Sequence, residues 1–270
     1  MRLALVQHHP AYLDVAGNLD RMGNTLADLF GGDGADLVVL PELFASGYYF
    51  ESAADCATVS EPVPGGPTTD FLLGWARQTG ATFVAGLPEQ EGERRYNSAA
   101  VVGPEGVVGC YRKVHLFYRE KEVFTPGDRG FPVFDAADRA GNAYRLGVMV
   151  CFDWYFPESA RTLALSGADV IAHPSNLVLP HCPDSMPVRA RENRVFTATA
   201  NRVGTESNGR EDLTFIGRST ICAPDGSVLA QASGDGEAVV SARVDPHAAR
   251  EKALNRYNDV LGDRRLDQYA

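Results

Sequence analysis

The chain has 270 residues, 44% of them hydrophobic and 22% charged, a balance that excludes a disordered, collagen-like or coiled-coil chain. Lysine and arginine number 25 against 35 aspartates and glutamates. The formal charge of −10 argues against nucleic acid or an anionic membrane as the main partner.

In chain order, Leu3–Val6 reads as a short apolar strand, and Asn18 stands where a helix cap belongs, ahead of Leu19, Met22, Leu26 and Leu29 at helical spacing. Asp36–Leu40 is a buried strand stopped by Pro41. Thr68 and Thr69 are expected to cap a helix carrying Phe71, Leu72 and Trp75, and Thr82–Gly86 is the next strand. Asn97–Val102 and Val107–Tyr111 flank a Gly-Pro-Glu-Gly turn and read as a hairpin. Leu116–Pro132 is a long connection with few regular signals. Tyr144–Val150 is a strand running into Cys151, Pro157–Leu165 a helix, Asp169–Ala172 a strand and Pro174–Pro187 a loop. Arg189–Arg194 is helical and leads into the strand Phe196–Ala200. Phe215–Ala223, Val228–Gln231 and Ala238–Val244 finish as antiparallel strands, and the end from Asp245 is charged and weakly helical. Alternating strands and helices with interspersed hairpins predict a layered α/β protein with mixed sheets.

Five cysteines (Cys56, Cys110, Cys151, Cys182 and Cys222) form an odd set with no CxxC pair, so neither a disulfide framework nor a zinc knuckle is indicated. No apolar run reaches the roughly 18 residues of a membrane span. The apolar stretch before His8 and His9 is too short for a signal-peptide core. The expectation is a soluble, reduced, cytoplasmic protein without nucleic-acid or membrane partners.

Three polar residues share one local setting: Glu42 follows LVVLP, Lys113 follows VVGCYR and Cys151 follows RLGVMV. Each is the first reactive side chain after an apolar strand, and strand ends of α/β sheets form the crevice where ligands bind. A thiol needs a base or a nearby cation to act as nucleophile. Glu42 can take its proton, Lys113 can stabilise the developing charge, and the backbone N–H of Phe152 can be a second oxyanion donor. Such a trio suits attack on a carbon bonded to nitrogen, with an acyl-thioester that water then hydrolyses.

The stretches LPELF (40–44), YRKVHLF (111–117), FTPGD (124–128), VCFDWYFPE (150–158), GADVIAHPSN (167–176) and ARENRVFTATANRVG (190–204) resemble the nitrilase, or carbon–nitrogen hydrolase, superfamily. The resemblance covers nearly the whole chain in the family's order and spacing. It implies a single domain over 1–270 with a four-layer α-β-β-α sandwich fold, no cofactor or metal, and a homodimer or higher homo-oligomer that uses 245–270 as a C-terminal arm. It also implies a triad of Glu42, Lys113 and Cys151. Many relatives carry a second glutamate after the lysine, which Glu120 matches best and Glu122 next best. Enzymes for N-carbamoyl amino acids resemble a Cys-Asn-Asp-Arg-Arg pattern, whereas Trp154 and Tyr155 hold the arginine positions here. That favours an apolar or aromatic acyl group, with Tyr49, Phe50, Tyr118, Trp154 and Asn176 as pocket wall. A small amide is the first expectation for the substrate, a small nitrile the second and an N-carbamoyl compound the third.

Three rivals are weaker. His8, His9, His115, His173 and His181 are numerous enough for zinc but lack HExxH spacing. Cys182 with His181 could form a thiol–imidazole pair, but sequence neighbours rarely align for proton transfer. A non-catalytic binding module would normally have lost one member of the triad.

Overall fold

The computed structural model describes residues 1–269. The elements in chain order are β1 (Arg2–Gln7), α1 (Val15–Gly31), β2 (Leu37–Val39), α2 (Ala53–Val59), α3 (Pro67–Thr79), β3 (Thr82–Glu91), β4 (Arg94–Gly103), β5 (Gly106–Arg112), α4 (Glu120–Val123), β6 (Val133–Ala137), β7 (Ala143–Val148), α5 (Pro157–Leu165), β8 (Val170–Pro174), α6 (Cys182–Asn193), β9 (Phe196–Ala200), β10 (Val203–Ser207), β11 (Asp212–Ile216), β12 (Thr220–Cys222), β13 (Val228–Gln231), β14 (Ala238–Arg243), β15 (Ala253–Asn255) and β16 (Asn258–Asp259). A 3₁₀ turn over Cys151–Tyr155 follows β7, and two more lie at Pro246–Arg250 and Leu266–Gln268.

Two six-stranded sheets form the centre, ordered β14-β1-β2-β3-β4-β5 and β13-β12-β9-β8-β7-β6. Each has three parallel strands in the middle, β1-β2-β3 or β7-β8-β9, and antiparallel strands at both edges. Both faces of the first sheet are buried. Leu3, Leu5, Leu37, Val39 and Val84 join the core facing the second sheet, while Ala4, Val6, Val38, Phe83 and Ala85 pack with Met22 and Leu26 of α1 and Leu72 and Ala76 of α3. That alternation is the period-two geometry of a strand with an apolar layer on each side. Leu163 and Ala164 of α5 and Met186 and Ala190 of α6 join the core on the second sheet's side. The architecture is the four-layer α-β-β-α sandwich.

Several local expectations are corrected. α1 is capped by Asp14, whose carboxylate accepts from Gly17 N–H at 3.0 Å. Asn18 lies inside the helix because its amide ties the Ala11 and Ala45 carbonyls, each at 2.7 Å. α3 begins at Pro67, with Gly66 as cap. Thr69 serves that helix end from its first turn, accepting from the Gly65 and Gly66 N–H groups at 3.2 Å, and buried Glu61 takes the Thr68 N–H at 2.9 Å. The stretch read as a loop to Pro187 contains the start of α6, which tolerates Pro187 inside it while burying Cys182, Met186 and Ala190. Phe215–Ala223 is two strands, β11 and β12, broken where Gly217 and Arg218 both take positive φ, 59° and 57°. The C-terminal end carries 3₁₀ turns and a two-stranded ribbon of β15 and β16 rather than α-helix.

Candidate active site

Three strand ends and one hairpin end converge between the sheets. Glu42 follows β2, Lys113 follows β5, Cys151 follows β7 and Asn176 follows β8. Lys113 extends the β4–β5 ladder by one step, its N–H donating to the Asn97 carbonyl at 2.8 Å. The turn bearing Glu42 sits on β3: Gly86 N–H donates to the Pro41 carbonyl and Phe44 N–H to the Gly86 carbonyl, both at 3.1 Å. A Cβ at Gly86 would collide with Glu42 Cα, so only glycine lets the turn lie this close.

The Lys113 ammonium is fully buried and donates to Glu42 Oε1 and Glu120 Oε1, each at 2.7 Å. Asn97 Nδ2 also donates to Glu42 Oε1 at 2.6 Å, and Glu42 Oε2 has no partner among the described residues. Glu120 Oε1 accepts from the Tyr48 hydroxyl at 2.6 Å. Asn176 Nδ2 donates to the Glu42 carbonyl at 2.8 Å. Burial lowers the Lys113 ammonium, but Glu120 and Glu42 outweigh it and hold it well above its ordinary value. Burial also raises Glu120, to about 7, against the pull of Lys113 and with the push of Glu42. The Cys151 thiol is pushed well up by burial and by the Glu42 carboxylate, with Lys113 opposing.

Cys151 occupies a strained elbow with φ 42°, in the left-handed region. Buried Asp153 supports the turn: its carboxylate accepts from Val150 N–H at 2.8 Å, Tyr111 OH at 2.6 Å, His115 N–H at 3.2 Å and His115 Nδ1 at 2.8 Å. His173 Nε2 donates to the Cys151 carbonyl at 2.9 Å, which leaves Nδ1 to accept from Thr199 Oγ1 at 3.0 Å. Burial lowers His173 to about 4, so it acts as a neutral spacer.

Phe117, Cys151, Phe152, Trp154, Tyr155 and Asn176, with Leu177–Leu179, line a narrow apolar pocket of about 30 Å³. Of the five residues expected as pocket wall, Trp154 and Asn176 line this pocket together with Cys151. Tyr49, Phe50 and Tyr118 do not reach that pocket; with Tyr48, Glu120 and Phe124 they line a second cavity of about 10 Å³ on the Glu120 side. Tyr118 is 52% exposed, and its hydroxyl is taken by Glu211 at 2.9 Å. Glu122 faces solvent and pairs with Arg119 at 2.8 Å, so it is Glu120 that meets Lys113. His181 is exposed while Cys182 is buried, and burial pushes that thiol well up with Cys222 beside it. Among the described residues no three His, Cys, Asp or Glu side chains gather to hold a metal ion, and no helix is long and apolar enough to cross a membrane.

Asn97, Tyr48 and Asp153 are not among the site residues the sequence reading names, and His173 enters it only in the rival zinc set. The available signal for Asn97 was a polar residue interrupting a buried strand, YNSAAVV. For Tyr48 it was only adjacency to Tyr49.

The carbon–nitrogen hydrolase family profile matches residues 2–253. The chain belongs to the carbon–nitrogen hydrolase family. It is 49% identical over 269 residues to a protein named nitrilase from Pyrococcus abyssi, covering 100% of this chain and 99% of that one. It is 37% identical to an (R)-stereoselective amidase from Pseudomonas sp., covering 98% and 92%. Among solved hydrolases of the family, variants of the amidase from Nesterenkonia sp. AN1 superpose with a TM-score of 0.79 at 32% identity over 93% of this chain and 93% or 94% of theirs. One is in complex with butyramide, and another carries the acetamide moiety of fluoroacetamide added covalently at its active site cysteine. This carbon–nitrogen hydrolase is an enzyme by its family and fold.

Proposed function

We propose that this hydrolase cleaves a short apolar amide through a thioester on Cys151, releasing ammonia and a carboxylic acid. The observation that carries the reading is one buried ammonium held between two buried carboxylates beside a buried thiol. With Glu42 and Glu120 ionised and Lys113 protonated, the cluster has one net negative charge, and a thiolate would add a second in a dry site. The resting thiol is therefore neutral, and its proton leaves as sulfur attacks. Glu42 Oε2, its free oxygen, takes that proton while Sγ bonds the amide carbon. Lys113 and the Phe152 N–H, in the first turn of a helix and so without a helical partner, stabilise the oxyanion. Glu42 returns the proton to nitrogen, the C–N bond breaks and ammonia leaves. Water, deprotonated by Glu42, then attacks the thioester, and Sγ departs as the thiol.

The narrow pocket walled by Phe117, Trp154 and Leu177–Leu179 suits a short aliphatic acyl chain, and it offers no buried cation for a substrate carboxylate. The butyramide bound in the Nesterenkonia amidase supports the same class. A short nitrile is the second reading, favoured by the Pyrococcus relative's name.

Ammonia release from butyramide, propionitrile and an N-carbamoyl amino acid tests the reading, with mass spectrometry of the Cys151 peptide. Butyramide should be the best of the three, and Cys151→Ala should lower its turnover more than about 10³-fold. Wild-type ammonia release by that variant would overturn the mechanism.

A further inference from the structure

Tyr48 is held from three directions. Its N–H, and that of Tyr49, donate to Glu206 Oε2 at 2.9 and 2.8 Å. Glu206 Oε1 accepts from Arg202 Nη1 at 2.7 Å, a pair buried at both ends. The Arg202 guanidinium lies 4.1 Å over the Phe215 ring, and Phe215 meets the Tyr48 ring edge-on at 5.8 Å. Arg202 thus acts twice on one tyrosine, through Glu206 on its backbone and through Phe215 on its ring. Gly47 closes the arrangement: it takes φ 80°, and a Cβ there would stand 2.8 Å from Glu206 Oε1. Among the described residues the Tyr48 hydroxyl hydrogen-bonds Glu120 Oε1 alone, the oxygen that also receives Lys113.

We propose that Arg202 and Glu206 form a positioning clamp that fixes the Tyr48 hydroxyl on Glu120 and so sets how Glu120 meets Lys113. The inference rests on the amide hydrolase reading of the site and adds to it residues that lie outside the Glu–Lys–Cys cluster. A buried ion pair is costly compared with packed apolar side chains unless its remaining lone pairs find donors. Here Glu206 receives two N–H groups of the segment that carries Tyr48, whereas Arg202 Nε and Nη2 have no hydrogen-bond partner among the described residues and the guanidinium lies on the Phe215 ring instead. Burial, with Glu120 beside it, holds the Tyr48 phenol well above its ordinary value, so it stays an O–H donor wherever the enzyme works. A donor to a carboxylate favours the ionised form. Also facing Glu120 are Lys113 and the Phe117 N–H, which donates to Oε2 at 3.3 Å, both favouring that form, and Glu42, which opposes it, with the Cys151 thiol nearby.

The test compares pH profiles of butyramide turnover for the wild type, Tyr48→Phe, Gly47→Ala and the double variant. Tyr48→Phe keeps the clamp and the ring, so it folds. It is expected to lose about tenfold in kcat at pH 7, as for a hydrogen bond to a charged group, and to move the acid limb of kcat to higher pH. Gly47→Ala, by displacing Glu206, moves the limb the same way. The double variant should move it no further than Tyr48→Phe alone, because both act through one hydroxyl. A wild-type limb in Tyr48→Phe overturns the clamp, as does full additivity of the two shifts. The hydrolase reading is judged separately, on wild-type turnover and its loss in Cys151→Ala.

Discussion

Asp153 lines neither cavity of the site, yet it holds the turn that carries Cys151. Its two oxygens receive four donors, from Val150, Tyr111 and His115. Those bonds bracket Cys151, whose φ of 42° costs of order 1–3 kcal/mol and persists only where its surroundings over-determine it. Asp153→Asn replaces an acceptor oxygen with an NH₂ group that faces donors, so at least one buried donor loses its partner. The expected outcome is a stability loss of about 1–3 kcal/mol in urea denaturation. Turnover should fall more than the unfolded fraction explains, because the elbow relaxes. A variant with wild-type turnover per folded molecule would show that the bonds to Val150 and His115 do not hold Cys151 in place. The Glu120 carboxyl makes the pH dependence explicit. Its proton is held to about 7 in the folded protein. If the anion is the working form, kcat rises with pH up to that region and falls below it, and a pH–rate profile with no acid limb between pH 5 and 8 would contradict that assignment.

The elements carrying the site follow from local sequence where two apolar faces force a strand, as in β2 and β7, and the first polar residue after each is then exposed to the crevice. That is why Glu42 and Cys151 are legible in the sequence, and Lys113 after β5 likewise. Asn18 misleads because a side chain that usually caps a helix is used here to tie two remote carbonyls, while Thr69 does serve the start of α3, from inside its first turn on the Gly66 N–H. The β10–β11 hairpin is missed because its strands are polar and partly exposed, yet it supplies Glu206. Tyr48 and Asn97 are illegible because their partners lie 72 and 55 residues away. Gly86, inside β3, belongs to the same class, since its role is defined only by the turn lying on it. Gly86→Ala should lift the Pro41–Phe44 turn and move Glu42 off Lys113. A shift near 1 Å in a reacting group can cost about 10²-fold. The prediction is therefore a kcat/KM loss of that order with an unchanged far-ultraviolet circular dichroism spectrum. Full activity in that variant would mean the turn has room that its contacts with β3 do not allow.

At the scale of the molecule, two sheets with the same parallel centre face each other, and the site forms where β2, β7 and β8 end together. The C-terminal segment stands apart from this sandwich. It is anchored at its root: Arg250 pairs with Asp169 at 2.9 Å, and Lys252 Nζ donates to the Asn193 and Arg194 carbonyls at 3.1 and 2.8 Å, at the end of α6. Beyond that root its large apolar side chains face outward, Leu254 61%, Tyr257 72%, Leu266 66% and Tyr269 60% exposed. Leu165 and Val188, on α5 and α6, are also exposed, at 46% and 41%. We propose that these surfaces pair between copies of the chain. Burying the exposed part of each such side chain contributes a fraction of the roughly 1.5–3 kcal/mol of full burial, and the anchored root reduces the ordering entropy that association would otherwise cost. The full chain should sediment as a dimer or larger at micromolar concentration. Deleting 253–270 keeps Arg250 and Lys252 and should shift the protein to monomer while the two sheets stay folded. A full-length chain that sediments as a monomer at that concentration would overturn the pairing, and a truncated chain that still sediments as a dimer would move the interface off the arm.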